Sequence, residues 1–137
     1  MTLVDTNVLL DILNNNPQWA GWSIASLRSR ATRGPLLINE VVYAELAANI
    51  STREALDDAV RTLRVRMERT PEPALFLAGV VFRRYRRSGG VRTGVLPDFF
   101  IGAHAQIARL PLLTRDRGRY LTYFPDVTLI APNTGRS

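Results

Sequence analysis

Short runs of apolar residues alternate along the chain with longer stretches in which apolar residues recur at the period of a helix. Runs of three or four residues bounded by glycine, proline or polar residues indicate short buried strands. We predict such strands at residues 3–5, 36–38, 112–114 and 127–130. Strands separated by helices indicate an α/β fold, with a short, mainly parallel central sheet flanked by helices on both faces.

Helical periodicity predicts helices between these strands, and their ranges are 6–14, 17–33, 40–49, 51–68, 74–87 and 98–109. Pro17 suits a first helical turn, and the side chain of Asn39 is a plausible helix cap. Ser51 and Glu54 have the spacing of a capping box, which predicts the start of the helix that runs to residue 68.

The chain of 137 residues has the usual size of one domain, and we expect a single domain over residues 1–137. No apolar stretch approaches the roughly 18 residues that a membrane helix needs. The N-terminus lacks the basic start of a signal peptide, and two aspartates interrupt its apolar segment. Because there is no cysteine, a reducing compartment is compatible, and we expect a cytoplasmic protein with no membrane association.

The composition excludes several kinds of catalytic site. All 18 residues of the Lys and Arg class are arginine, so no lysine can serve a P-loop, a Schiff base or general-base catalysis. The single histidine, His104, excludes a two-histidine zinc site within one chain, and no serine lies in a G-x-S-x-G motif. The remaining candidate ligands are carboxylate oxygens, which suit hard cations such as Mg²⁺ or Mn²⁺.

The charge favours an anionic partner. The formal net charge is +6 and the sequence pI is near 10.9, which suits nucleic acid, although an acidic protein would also be attracted. The densest basic segment, residues 83–87, can be a solvated helix end whose cations complement the helix dipole, or it can contact a polyanion. The candidate RNA-binding arginines are Arg83, Arg84, Arg86, Arg87 and Arg115.

Four carboxylates adjoin apolar segments that we expect in the interior, and these are Asp5, Glu45, Asp98 and Asp116. An isolated buried carboxylate is costly unless a cation or hydrogen-bond donors compensate it. In a parallel sheet, functional groups collect beyond the carboxyl ends of the strands. Asp5 and Asp116 lie at the ends of two predicted strands, whereas Glu45 and Asp98 lie near the starts of helices. All four can therefore face one cleft, where their repulsion should raise at least one pKa.

Each of these acids also has an interpretation that requires no cation. Asp5 and Asp98 could act only as helix caps. Asp116 could be a turn residue paired with a neighbouring arginine. Glu45 could reach solvent from the edge of its helix.

Other polar residues receive more modest roles. Asn7 and Thr114 can donate hydrogen bonds that orient a ligand beside the acids. We expect His104 at the surface or facing a partner, because it lies six residues beyond Asp98 and so points away from it on a helix. Four further acids are interpreted as solvated helix charges, with Glu40 the nearest to the cleft, and these are Asp11, Glu40, Asp57 and Asp58.

The segments that carry the four acids resemble the successive acidic motifs of PIN-domain nucleases. They are LVDTNVLLD (3–11), VYAEL (42–46), PDFFIGAHA (97–105) and LTRD (113–116), and YLTYFP (120–125) is similar to the C-terminal segment of that family. The subgroup that they most resemble is the VapC-type toxins of bacterial toxin–antitoxin pairs. A lone D-x-N is a weak signal, but four motifs in this order are specific.

This resemblance implies a PIN-like α/β/α sandwich and Mg²⁺- or Mn²⁺-dependent endoribonuclease activity. It also implies a homodimer and a small cognate antitoxin. Asp5, Glu45 and Asp98 would hold the metal, directly or through water, and Asp116 would complete the acidic cluster. A metal-activated water would then cleave the RNA phosphodiester, with no protein nucleophile.

Two other functions remain open. One is a catalytically silent RNA- or protein-binding module with a PIN-like fold. The other is a different phosphoryl-transfer enzyme, such as a phosphatase of the haloacid dehalogenase type. That chemistry normally uses a D-x-D pair and a lysine, whereas this chain has Asn7 at the third position and no lysine.

Overall fold

The computed structural model describes residues 1–92 and 94–133, and five short strands in it form one parallel sheet. The strand order is β3-β2-β1-β4-β5. Leu3 at the centre of β1 is in register with Leu37 of β2 and Leu112 of β4. The strands are Thr2–Val4 (β1), Leu36–Ile38 (β2), Val65–Met67 (β3), Leu112–Leu113 (β4) and Leu129–Ile130 (β5). The predicted parallel sheet is confirmed, and residues 134–137 of the expected domain lie outside the described residues.

Seven helices flank this sheet in the described part of the chain. They are Thr6–Leu13 (α1), Ala20–Ala31 (α2), Glu40–Ala47 (α3), Arg53–Leu63 (α4), Glu72–Arg87 (α5), Leu96–Ala108 (α6) and Arg117–Tyr123 (α7). None of those in residues 1–92 and 94–133 is long and apolar enough to cross a membrane. Helix α2 begins three residues after Pro17, because the side chain of Asn16 accepts hydrogen bonds from the N–H groups of Gln18 and Trp19 and holds a turn there.

Side-chain hydrogen bonds cap the first turns of α3 and α4. The Asn39 side chain accepts hydrogen bonds from the N–H groups of Val41 and Val42 at 3.1 and 3.0 Å, which confirms the predicted cap. The cap of α4 is Thr52 rather than Ser51, and its hydroxyl accepts from the N–H of Ala55 at 3.1 Å.

The predicted helix over residues 51–68 is wrong in its last five residues. Helix α4 ends at Leu63, where Arg64 takes a left-handed conformation with φ of 59°. The chain then enters β3, which pairs with β2 at the edge of the sheet. Two of the three β3 residues, Arg66 and Met67, are exposed, so this strand lacks the apolar run that revealed the others.

Helix α7 is held against α6 by a close contact. Gly102 of α6 leaves room for the ring of Phe124 at the end of α7, because a Cβ at position 102 would lie 2.3 Å from that ring. Phe124 also packs edge-on against Phe99 of α6, with ring centroids 6.1 Å apart. This packing brings the two residues in the middle of α7, Arg119 and Tyr120, to the carboxyl ends of the strands.

Candidate active site

Asp5 follows β1 directly and is buried, with 3% of its surface exposed. One carboxylate oxygen caps α1 by accepting a hydrogen bond from the N–H of Thr6 at 2.8 Å. The other oxygen accepts from the hydroxyls of Thr114 at 2.7 Å and Tyr120 at 2.9 Å. Asp5 is therefore a helix cap, as the alternative interpretation held, but it also lies at the meeting point of β1, β4 and α7.

Burial and a neighbouring negative charge govern the electrostatics of Asp5. Burial raises its pKa from 3.8 to about 7, against the opposing effect of the hydrogen bonds from Thr114 and Tyr120. The negative charge of Asp98 raises the pKa further. This confirms the expected raised pKa and shows that Asp98 is close enough to repel Asp5.

Glu45 lies on α3 and faces the same cleft. The hydroxyl of Thr6 donates a hydrogen bond of 2.5 Å to its carboxylate. Burial raises the pKa of Glu45, and the charge of Asp98 adds to this effect. Thr6 thus connects the two carboxylates, since its N–H binds Asp5 and its hydroxyl binds Glu45. The interpretation of Glu45 as a solvated helix edge is wrong.

Asp98 lies in the first turn of α6 and forms an ion pair with Arg119 of α7. Its side chain does not cap α6, whose cap position is Val95. Burial raises the pKa of Asp98 and Arg119 lowers it, whereas the nearby charge of Asp116 raises it. Asp98 therefore interacts with each of the other three acids, and it is the electrostatic centre of the group.

The loop after β4 contains Thr114 and Asp116, and Asn7 of α1 contacts this loop. The N–H of Asp116 donates to the Thr114 hydroxyl at 3.0 Å, and that hydroxyl in turn donates to Asp5. The side-chain oxygen of Asn7 accepts from the N–H of Arg115 at 3.2 Å. Asp116 occupies the cap position of α7 but makes no capping hydrogen bond, so its carboxylate is free to face Asp98.

The chemistry of this donor set fits a hard divalent cation. All four acids supply oxygen, and three of them share burial and mutual repulsion that a cation would offset. The four acids are, however, not gathered closely around one point in this structure. Among residues 1–92 and 94–133, no three His, Cys, Asp or Glu side chains are gathered closely enough to hold one ion. Each of the three partly or fully buried acids instead contacts a neighbouring donor. Asp5 accepts from Thr114, Glu45 accepts from Thr6, and Asp98 pairs with Arg119.

The structure adds Thr6, Arg119 and Tyr120 to the site. Thr6 directly follows Asp5 in the sequence, but the sequence gives no sign that its hydroxyl donates to Glu45, 39 residues away. Arg119 and Tyr120 lie three and four residues after Asp116, which is the spacing of one helical face. That spacing becomes informative only once α7 is known, and no helix was predicted there.

Two predictions of surface exposure are wrong, those for Asp11 and His104. Asp11 is 3% exposed and forms a two-bond ion pair with Arg115 at 2.6 and 2.9 Å. His104 is 1% exposed, and its Nδ1 lies 3.1 Å from the side-chain nitrogen of Asn39. Because Asn39 uses its oxygen to cap α3, the Asn39 nitrogen donates to the ring, and burial lowers the pKa of His104.

The remaining predicted surface acids divide into two groups. Glu40 is half-buried and accepts two hydrogen bonds of 2.8 Å from the N–H and hydroxyl of Thr70, so it is not a solvated charge. Asp57 and Asp58 are solvated as predicted, with side chains 46% and 69% exposed in ion pairs along α4.

The candidate RNA-binding arginines differ in whether their charge is exposed or already paired within the chain. Four arginines at the C-terminal end of α5 are exposed, as the helix-end interpretation requires, and these are Arg83, Arg84, Arg86 and Arg87. Arg115 is paired with Asp11, and its guanidinium carbon lies 5.3 Å from the ring centre of Trp19. Its charge is already compensated within the chain.

Comparison with known proteins identifies the class of this fold and site. The family model of the PIN domain matches residues 2–124. The chain belongs to the PIN-domain family. The resemblance of its four acidic motifs to PIN-domain nucleases is confirmed.

Individual relatives place the chain more narrowly, among VapC-type proteins. It is 33% identical over 114 residues to Ribonuclease VapC10 of Mycobacterium tuberculosis, covering 83% of this chain and 81% of that one. The fold is similar to that of VapBC2 from Rickettsia felis, solved bound to a promoter DNA fragment, with a TM-score of 0.70, 18% identity and coverage of 95% and 97%. It is also similar to VapBC-1 from nontypeable Haemophilus influenzae, with a TM-score of 0.69, 19% identity and coverage of 95% and 96%. The expected PIN-like α/β/α fold is confirmed.

Proposed function

We propose that this protein is an endoribonuclease that hydrolyses RNA phosphodiester bonds with a divalent metal, and that it acts as the toxin of a toxin–antitoxin pair. The observation that carries the proposal is the Asp5 carboxylate, which is buried and lies close enough to Asp98 for the two negative charges to repel. In a PIN-domain chain related to a ribonuclease, a divalent cation is the natural compensation for this arrangement.

Asp5, Glu45 and Asp98 would hold Mg²⁺ or Mn²⁺, directly or through water, and Asp116 would complete the cluster. When bound, the ion supplies a water of lowered pKa and stabilises negative charge on the phosphoryl oxygens. Small movements of Glu45 and Asp98 from Thr6 and Arg119 would bring their oxygens toward Asp5.

The surrounding residues orient these ligands. Thr114 and Tyr120 direct one Asp5 oxygen, and the Thr6 N–H holds the other. Asn7 fixes the loop after β4 through the N–H of Arg115. This arrangement sets the direction of the Asp5 lone pairs before a ligand binds, which reduces the cost of ordering the site.

Among the described residues, the histidine and the tyrosine nearest to this mechanism are not placed to act as nucleophiles. The chain contains no cysteine, and His104 is buried in a hydrogen bond with Asn39. The Tyr120 hydroxyl donates to Asp5, and burial raises the pKa of Tyr120 well above 10, so it stays protonated at neutral pH. Hydrolysis by water is the reaction that these residues favour.

The partners follow from charge and from the relatives. RNA suits the net charge of +6 and the exposed arginines at the end of α5. The two similar solved structures are VapBC proteins, and another is described as a toxin–antitoxin complex from Klebsiella pneumoniae, which supports a cognate antitoxin for this chain. We also propose a homodimer located in the cytoplasm.

The test is cleavage of whole-cell RNA with Mg²⁺ or Mn²⁺ and with a chelator. Asp5→Asn and Asp98→Asn should abolish metal-dependent cleavage while the circular dichroism spectrum remains that of the wild type. Asp58→Asn removes an exposed carboxylate on α4 and is the matched control, which should cleave normally. Full activity in either site variant would overturn the proposal.

The silent binding module is the alternative function. The absence of three closely gathered acids in the described residues is the observation that favours it. A wild-type protein that binds RNA but never cleaves it, and whose melting temperature does not respond to Mn²⁺, would support this alternative.

A further inference from the structure

We propose that Arg119 has two alternating roles, as the internal counter-ion of Asp98 in the metal-free protein and as a phosphate-binding residue in the metal-loaded protein. This inference rests on the proposed function, because it assumes that a divalent ion and an RNA phosphate meet at the acidic cluster.

The contact that carries the inference is the ion pair between Arg119 and Asp98. Among the ion pairs of the described residues, it is the one that involves any of the four acids. Both side chains are largely buried, with 30% of Arg119 and 19% of Asp98 exposed. The guanidinium therefore contacts an Asp98 oxygen that a divalent ion would also need as a ligand.

A divalent ion and the guanidinium would not share Asp98 without a penalty. Two like charges a few ångströms apart in a partly buried site repel strongly. Asp5 and Glu45 would supply further ligands to an ion that carries the greater charge, so Arg119 would give up its contact with Asp98. Arg119 must then find another anion, because a partly buried and unpaired cation is costly.

A cavity beside the cluster provides the space for that movement. It has a volume of about 470 Å³, and Arg119 and Asp116 both line it, together with Arg92 and Tyr123. Arg119 already lines this cavity, so its side chain would need only a change of rotamer to extend further into it. The cavity combines two arginines with two tyrosine rings, since Tyr85 lines it as well, and this combination suits the phosphate and the base of a nucleotide.

In this second position the guanidinium would donate to the RNA phosphate next to the metal. Arginine binds phosphate oxygens through two parallel hydrogen bonds, and such a donor stabilises the charge that develops in phosphoryl transfer. Arg119 would therefore weaken metal binding in the absence of RNA and promote cleavage in its presence.

The first experiment measures Mn²⁺ affinity by isothermal titration calorimetry without RNA. Arg119→Gln removes the competing cation and should bind Mn²⁺ about fivefold more tightly than the wild type. Arg117→Gln is the matched control, because it removes an arginine of α7 that contacts the Ala131 carbonyl rather than an acid. Affinity that is unchanged or weaker in Arg119→Gln would overturn the counter-ion role.

The second experiment measures RNA cleavage at saturating Mn²⁺. Arg119→Gln should lose about a hundredfold in kcat/KM, whereas Arg117→Gln should stay within a few fold of the wild type. Arg119→Lys keeps the charge without the paired donors and should recover only part of the loss. A cleavage rate in Arg119→Gln equal to that of the wild type would overturn the phosphate-binding role.

These readouts separate the inference from the proposed function. If the wild type cleaves no RNA, the proposed function fails, but the Mn²⁺ titration still decides the counter-ion role. The fluorescence anisotropy of a labelled RNA oligonucleotide then tests the second role, since Arg119→Gln should bind it more weakly than Arg117→Gln does in the presence of Mn²⁺. If Arg119→Gln fails to fold by circular dichroism, Arg119→Ala carries the Mn²⁺ titration, with tighter binding as the expected result. Arg119→Lys then carries the RNA measurement, with weaker cleavage or binding expected. The wild-type value in either measurement would overturn the role that it tests.

Discussion

The hydroxyl of Thr114 donates a 2.7 Å hydrogen bond to the buried carboxylate of Asp5, which joins two residues 109 positions apart in the sequence. Thr114 follows β4 and Asp5 follows the neighbouring strand β1, so the bond crosses the carboxyl edge of the sheet. It lowers the pKa of Asp5 and partly opposes the effect of burial. The ionisation of Asp5 therefore depends in part on the Thr114 hydroxyl, beside the hydrogen bonds from Tyr120 and the Thr6 N–H.

We expect Thr114→Val to make metal-dependent cleavage require a higher pH. Loss of the hydroxyl removes a contribution that lowers the pKa of Asp5, so that pKa rises above its present value of about 7. The acidic limb of the pH–rate profile at subsaturating Mn²⁺ should move upward by about 1 pH unit. Thr114→Ser keeps the hydroxyl and should leave the profile in place; an unmoved profile in Thr114→Val would contradict the role of this bond.

We expect the stability of the metal-free protein to fall as pH rises through the range in which Asp5 ionises. The pKa of Asp5 is about 7 in the folded protein against an ordinary value of 3.8. Between these values the folded state binds the proton more tightly than the unfolded state, so ionisation at higher pH destabilises the fold.

The measurement compares melting temperatures of the wild type and Asp5→Asn, with a chelator present. At pH 4 the two should be similar, whereas at pH 7 Asp5→Asn should melt about 5 °C higher or more. Addition of Mn²⁺ at pH 7 should raise the melting temperature of the wild type alone. A constant difference between the two proteins across this range would contradict the assignment.

We expect Asp11→Asn to destabilise the fold without affecting metal affinity. It leaves the partly buried guanidinium of Arg115 without its anion, and Ser23 loses the carboxylate to which it donates. The free energy of unfolding in urea should fall by about 2–3 kcal/mol. Asp58→Asn breaks the exposed pair with Arg61 and should change it by less than about 0.5 kcal/mol. Equal losses in the two variants would contradict this distinction.

We expect Gly102→Ala to loosen α7 from α6. The new Cβ would meet the ring of Phe124, so the ring must shift, at a cost of about 1–3 kcal/mol in the free energy of unfolding. Because α7 carries Arg119 and Tyr120, cleavage should fall as well. Gly79→Ala in α5 meets no atom within 4 Å and should stabilise by about 0.5–1 kcal/mol. Gly102→Ala that behaves like Gly79→Ala would contradict the proposed packing.

The sequence by itself determined the layers of the fold and the positions of the four acids. Strands β1, β2 and β4 are apolar runs buried on both faces, so hydrophobic pattern alone was sufficient to find them. The carboxyl ends of parallel strands meet at one edge of the sheet, so the sequence alone predicted that Asp5 and Asp116 face the same cleft. The acidic motifs then indicated the PIN-domain family.

Local elements without an apolar pattern could not be predicted. Strand β3 exposes two of its three side chains, and its pairing with β2 at the sheet edge comes from the tertiary fold. Helix α7 is seven residues long and reads RGRYLTY, with one fully buried residue, Tyr120. Such a short helix is stabilised by packing against its neighbours rather than by its own sequence.

Only the tertiary structure decided which polar groups are buried and which partner each of them has. Asp11 is buried with Arg115, 104 residues away, and His104 is buried with Asn39, 65 residues away. Asp98 is paired with Arg119, a residue that no motif had indicated. Periodicity reports which face of an element points inward, but it carries no information on what lies opposite. The four acids could therefore be identified from the sequence. The hydroxyls and the arginine that control their charge could be identified only from the tertiary structure, which brings distant segments into contact.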